Sequence, residues 1–171
     1  MKVFLSLLFS LTLFYTALES EVEAANEDMP FLIVNKEVNQ LAFISNSKIQ
    51  EIFPVGTGKS KELTPEGLFT VKIKAINPYF RKKNIPGGDP RNPLGTRWIG
   101  FDAINTDGRI YGVHGTNQPN SVGKYISNGC VRLSNSDVER LYQQVPLGTK
   151  ILIVSSQDDF IVLAKKYGAI K

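Results

Sequence analysis

From Phe31 onward the chain is written in short β-type runs, each stopped by Gly, Pro, Asn, Asp or Ser, and this punctuation confines it to a mostly-β fold. Phe31-Leu32-Ile33-Val34-Asn35 is apolar enough to be buried on both faces. Asn39 to Ser45 and Ile49 to Val55 read as a hairpin about Ser45-Asn46-Ser47-Lys48, whose small polar residues suit a tight turn. Gly67 to Ile76 alternates as a half-exposed strand, with Leu68, Thr70, Lys72 and Lys74 on its outer face. Arg97 to Phe101 and Arg109 to Val113 pair across Asn105-Thr106-Asp107-Gly108, where Asp-Gly signals a hairpin turn, and Thr149 to Val154 is a last strand. Helical signals are fewer. Val138, Leu141, Tyr142 and Val145 form one stripe behind the capping box Ser136-Asp137-Val138-Glu139, ended by Pro146 and Gly148. Ser121 to Ile126 is expected to make a short helix. In the tail Gln157 to Tyr167, Phe160, Ile161, Leu163, Ala164 and Tyr167 recur at the spacing of a docking helix. The expected architecture is a β-sandwich or partly closed barrel with one main helix. With 171 residues, 42% of them hydrophobic, there is material for one core rather than two.

The first 24 residues stand apart. Lys2, the apolar run Val3 to Leu18 and the small-x-small site Val22-Glu23-Ala24 are the n-region, h-region and cleavage site of an export leader. A run of this length is shorter than the ~20 residues that span a bilayer. Cleavage after Ala24 removes Lys2, Glu19, Glu21 and Glu23 and moves the formal charge from +4 to about +6, which favours anionic surfaces such as a cell wall. The domain expected from this reading is 30–155, followed by a tail at 156–171.

Val113 to Leu133, VHGTNQPNSVGKYISNGCVRL, holds the chain's one histidine, His114, and its one cysteine, Cys130. A thiol with an ordinary pKa of ~8.5 is mostly protonated at pH 7 and needs a base or nearby positive charge to act as a nucleophile. His114 and Arg132 are placed to supply these. Gly129 has no Cβ, so the Gly129 and Cys130 amides can point at one spot beside the sulfur and hold an oxyanion. These residue types also admit a second reading, in which Cys130 is a small buried hydrophobe and His114 a satisfied loop residue. One His and one Cys cannot build a structural zinc site of the usual kind, and a lone Cys leaves no intramolecular disulfide. Lys59-Ser60 ends a run resembling a phosphate-binding loop. That loop needs a glycine where Phe53 stands and a helix where Pro65 and a β pattern follow, so nucleotide binding is excluded.

The run from His114 to Leu133, the helix NSDVERLYQQV, the strand PLGTKILIV and the upstream Thr64-Pro65-Glu66-Gly67-Leu68-Phe69-Thr70 resemble the YkuD-type L,D-transpeptidases, bacterial cell-wall enzymes. The resemblance implies a Cys130 nucleophile, a His114 base, and Ser127, Asn128, Gly115 and Arg132 as supporting or substrate-binding residues. It implies peptidoglycan stem peptides as partners, no cofactor, no metal, no nucleic acid, and no stable membrane insertion once the leader is gone. In the family the Pro- and Gly-rich stretch Asn77 to Gly95 lies over the catalytic groove, which would bring Tyr79, Phe80, Arg81 and Arg91 toward substrate. The chain departs from the pattern at one place: the family usually has a second histidine before the Gly-Cys pair, and here that residue is Asn128.

Overall fold

The computed structural model describes residues 29–171. The leader expected at 1–24 lies outside the described residues. The chain enters the core at once through β1 (Phe31–Asn35), pairs back antiparallel with β2 (Gln40–Ser45), and turns into β3 (Lys48–Pro54). Asn46 and Ser47 at that turn both take positive φ, 52° and 54°, the backbone hand that matches strand twist in a two-residue hairpin. After the short β4 (Thr57–Gly58) come β5 (Gly67–Ile76), β6 (Arg97–Phe101), β7 (Tyr111–His114), β8 (Tyr125–Ser127) and β9 (Val131–Arg132). Helix α1 (Asn135–Gln144), strand β10 (Lys150–Val154) and helix α2 (Phe160–Lys166) complete the fold.

Eight strands form one sheet in the order β3-β2-β1-β10-β5-β6-β7-β9. The sheet curls until its ends meet: beyond β3 the chain reaches Gly56, which exchanges two 2.8 Å backbone hydrogen bonds with Arg132 on β9. The expected partly closed barrel is therefore the form adopted, and the Gly56–Arg132 bridge is its seam. Gly56 suits the seam because a Cβ there would lie 2.5 Å from the Ser121 carbonyl oxygen. β4 and β8 add a two-stranded parallel patch beside it.

Two apolar layers hold the sheet. Leu32, Val34, Phe53, Ile99, Val113 and Val131 face a core closed by Val138 and Leu141 of α1 and by Val145, its C-cap. On the other face Ile33, Ala42, Ile44 and Leu152 are covered by Phe160, Leu163 and Ala164 of α2. β1 is thus buried on both faces, as its unbroken apolar run requires, and the tail docks as a helix. Each fully buried aliphatic side chain contributes roughly 1.5–3 kcal/mol of transfer free energy.

Several local expectations change. α1 begins two residues earlier than the capping-box reading: Ser134 is the cap, accepting from the Asp137 amide at 3.1 Å, because Leu133 is already fixed in the core. Ser121 to Ile126 is not a helix; a 3-10 turn over Pro119–Ser121 leads through Gly123 at φ +80° into β8. A register shift between Val71 and Ile73 reverses the alternation of β5, so Lys74 turns under α1, donates to the Tyr142 carbonyl at 2.6 Å and stands 4.1 Å from the Tyr142 ring centroid. Lys72 stays outward, paired with Asp102 at 3.3 Å. β6 and β7 pair as expected, but their connection is a broader loop with a 3-10 turn over Ala103–Asn105, and β7 starts at Tyr111.

Lys36 is a charged residue set inside this frame, 5% exposed. Its ammonium donates to the Lys61 and Thr64 carbonyls at 2.6 and 2.9 Å and pairs with Glu66 at 2.9 Å, pinning the segment between β4 and β5. Lys36→Met keeps much of the stem but leaves both carbonyls without their donor. It is expected to lower unfolding free energy by about 2–4 kcal/mol, read as a shift in the urea midpoint at unchanged m-value.

Candidate active site

The geometry of the site follows from one parallel pairing. Val113 lies opposite Val131 and His114 opposite Arg132, and both valines are fully buried in the core. Strand alternation then puts Gly112 and His114 of β7, and Cys130 and Arg132 beside them, on the other face of the sheet. His114, at the end of β7, and Cys130, just before the neighbouring β9, are 16 residues apart in sequence and share the face away from the core.

His114 is 4% exposed, and its Nδ1 donates to the Gly115 carbonyl at 2.5 Å. A carbonyl can only accept, so Nδ1 carries the proton and Nε2 is the basic nitrogen of the neutral ring. Burial pushes the imidazole pKa down to about 4, and the Arg132 charge adds to that, while the Gly115 and Leu94 carbonyls partly oppose it. The ring stacks on Trp98, directly opposite on β6, with centroids 5.5 Å apart at 17°.

The Cys130 sulfur donates to the Ile110 carbonyl at 3.5 Å. Burial pushes the thiol pKa up, opposed by the Gly112 amide and the charges of Arg132 and Lys82. Thiol and imidazole therefore both rest in their neutral forms, each held by a backbone carbonyl. Arg132 reaches Gln118 Oε1 from Nη1 at 3.5 Å, and its buried Nε has no hydrogen-bond partner among the described residues. No carboxylate pairs with this guanidinium among the described residues. It is open to an incoming one.

The turn before the thiol is tied by Ser127, 1% exposed, whose hydroxyl donates to the Cys130 carbonyl at 2.6 Å and accepts from the Gly129 amide at 3.0 Å. The Gly129 amide is thus engaged internally. Gly129 itself, at φ +127°, has no room for a Cβ, which would meet the Leu63 carbonyl oxygen at 2.4 Å. Leu63 belongs to the segment that Lys36 pins. Asn128 is exposed at the rim. Gly115 is buried against Asn135, whose Oδ1 a Cβ would approach to 2.2 Å.

Sequence reasoning missed Asn135 and Trp98. Asn135 Oδ1 accepts from the amides of Thr116 and Thr96 at 3.1 and 3.3 Å, tying the start of α1 to the segment leaving His114. Nothing local in Asn135-Ser136-Asp137 reveals that role, whereas Trp98, the chain's one tryptophan, could have been singled out. The stretch 77–95 packs alongside: Asn117 donates to the Pro90 carbonyl at 3.3 Å, and the Lys82 charge is felt at the thiol. Within it Arg91 is paired with Asp89 at 2.6 Å and Phe80 bridges Ile85, so these two are engaged inside the loop. Tyr79 is exposed and bonds Asn84, and Arg81 lies on the 3-10 turn Arg81–Lys83. Among the described residues no three His, Cys, Asp or Glu side chains cluster as a metal site. A cavity of about 810 Å³ lies elsewhere, lined by Phe31, Ile44 and Lys150, and includes none of the site residues.

Residues 30–153 match the family model described as the L,D-transpeptidase catalytic domain. The chain is 55% identical over 141 residues to the Bacillus subtilis L,D-transpeptidase YqjB, itself a provisional name, covering 82% of this chain and 80% of that one. It is 38% identical over 108 residues to YkuD of the same organism, also provisionally named, covering 63% and 56%. An L,D-transpeptidase from Mycobacterium smegmatis has a similar fold, with a TM-score of 0.59 at 22% identity over 74% of this chain and 58% of that one. A cysteine-to-serine mutant of the Enterococcus faecium L,D-transpeptidase superposes with a TM-score of 0.58 at 20% identity over 74% and 50%. The chain thus spans half to three fifths of these longer structures.

The buried neutral imidazole has a consequence for stability. Its folded pKa lies below the unfolded value of ~6.5, so between these values the unfolded chain binds the extra proton. The contribution is complete above pH 6.5 and is lost as pH falls through 4, amounting to roughly 3 kcal/mol. Urea titrations of the wild type and His114→Gln between pH 7 and 4 are expected to show this slope in the wild type alone.

Proposed function

Because the chain belongs to the L,D-transpeptidase family, we propose that it is an exported enzyme that cross-links peptidoglycan through a Cys130 thioester. The observation that carries this is the β7–β9 register, which brings His114, Cys130 and Arg132 to one face of the sheet. The leader at 1–24 takes the chain to the compartment where peptidoglycan lies, and the net positive charge favours that anionic polymer. Residues 30–155 form the catalytic domain and 156–171 a tail bearing α2.

The donor is a stem tetrapeptide. As it binds, His114 Nε2 takes the Cys130 proton and the sulfur attacks the carbonyl of the third residue. Both groups start neutral, so proton transfer accompanies attack and no thiolate–imidazolium pair is stored beforehand. The Cys130 amide holds the developing oxyanion. The Gly129 amide, expected to share that task, is engaged by Ser127 in this state, so Gly129 serves chiefly by fitting the tight turn. The imidazolium returns its proton to the departing amine, D-alanine leaves, and a thioester remains. The side-chain amine of a second stem attacks the thioester, restores the thiol and forms a 3→3 cross-link. Arg132, whose charge no carboxylate among the described residues pairs, receives a substrate carboxylate. Asn128, exposed at the rim, offers hydrogen bonds but no exchangeable proton at working pH.

The test is mass spectrometry of the protein from residue 25 onward with purified disaccharide tetrapeptide. The expected products are a dimer lighter by one D-alanine and a thioester adduct on Cys130. Tripeptide alone would replace the cross-linking reading with hydrolysis of the same bond, and an unaltered donor would overturn both. Cys130→Ala is expected to lower turnover by more than about a thousandfold while leaving the melting temperature nearly unchanged.

A further inference from the structure

The centre of the β6–β7 pair carries an unusual arrangement. Gly100 faces Gly112, two residues along from the Trp98–His114 pair and therefore on the same face. Two facing glycines leave a flat floor, and the Trp98 indole lies on it. A Cβ at Gly112 would stand 2.6–2.9 Å from atoms of its six-membered ring, and one at Gly100 would stand 2.5 Å from Nε1. The far edge of the indole is anchored by Nε1, which donates to the Gly108 carbonyl at 2.9 Å in a buried hydrogen bond. Gly108 belongs to the loop between β6 and β7, the loop whose Ile110 carbonyl receives the Cys130 thiol. Imidazole, indole and thiol are thus held in one framework: His114 rests on the indole, the indole is bonded to the loop, and the loop is bonded to the sulfur.

We propose that Trp98 is a positioning residue that clamps the His114 ring in its Nδ1–H tautomer and seals it from water, keeping Nε2 as the base. This rests on the reading of His114 as the base. The stack fixes the plane of the ring, so that its Nδ1–H stays aligned with the Gly115 carbonyl, and it occupies the volume that water would need to reach the imidazole. Two effects of the indole oppose each other. A cation over its face would gain roughly 0.5–2 kcal/mol, favouring imidazolium, whereas exclusion of water disfavours it. The second prevails, since burial is the largest influence on His114 and the ring is driven toward neutrality. Other charged groups on the packed elements are Arg132 on β9, which also disfavours imidazolium, and the Arg97–Glu139 pair between β6 and α1 at 3.8 Å. Cys130, on the same face, is neutral.

With one histidine in the sequence, ¹⁵N-correlated spectra of the untagged protein contain a single imidazole to follow. The wild type is expected to show an Nδ1–H tautomer at pH 7 and an apparent pKa below about 5. Trp98→Phe keeps a stacking ring and should keep both properties while losing thermal stability with the bond to Gly108. Trp98→Ala admits water: the pKa should rise by at least about one unit, the Nε2–H tautomer should appear, and the acid limb of the pH profile of Cys130 alkylation should move by the same amount. A folded Trp98→Ala with wild-type titration and tautomer would overturn the proposal. If that variant does not fold, a wild-type ring titrating near 6.5, or protonated on Nε2, overturns it. Turnover is measured separately: an inactive wild type with the expected spectra would refute the transpeptidase reading and leave the clamp standing.

Discussion

Two backbone hydrogen bonds between Gly56 and Arg132 organise this protein. They tie the chain just beyond β3 to β9 and draw the eight-stranded sheet into a partly closed barrel. An open edge at β9 would leave a two-residue strand paired on one side alone, a poor mount for the residue before it. Because Gly56 clamps Arg132 from outside while β7 holds it from inside, Cys130 stands next to a position fixed on both sides. The same seam draws in β4 and β8, and through Lys36 the segment whose Leu63 carbonyl abuts Gly129. Closure and the shape of the turn bearing the thiol are one structural event.

The electrostatics of the face follow from its burial. His114 is buried, and the strong nearby charge, Arg132, is of the sign that opposes an imidazolium. The thiol is subject to two opposed influences, with burial raising its pKa and the guanidinium and a strand amide lowering it. A resting site of this kind stores no ion pair, and it gains from any negative group that arrives to compensate Arg132. Once the guanidinium is paired, its pressure on the imidazole eases and the base becomes stronger. In the proposed mechanism, a substrate carboxylate that pairs with Arg132 therefore also strengthens His114 as the base.

Much of this could be read from the chain because the signals were local. β1 and β5 fall where the apolar run and the alternation place them, the stripe of Val138, Leu141 and Val145 is buried as expected, and the tail packs through Phe160, Leu163 and Ala164. His114 and Cys130 drew attention as single residues of reactive type, and the register sets His114 beside β9, the strand that Cys130 immediately precedes. What was misread depended on distant partners. Ser134 and Ser136 are both followed three residues later by an acid, and the choice between them is made by Leu133 in the core. Residues 121–126 carry no strand signal until Thr57 pairs with Tyr125 and the Gly123 amide finds the Val55 carbonyl. Lys74 reversed its face because of a bulge, which no alternation pattern can foretell. Asn135 contributes only when Thr96 and Thr116 are brought to it.

The position of β10 carries a kinetic consequence. It lies in the middle of the sheet, between β1 and β5, so Phe31 is hydrogen-bonded in register with Lys150. The two halves of the sheet cannot join until the last strand is present, and contacts of such long sequence separation form slowly. A chain that lacks β10 has no stable way to complete the core. Closure of the core therefore waits on the pairing of β10 with both β1 and β5, which makes these long-range contacts a late step in folding.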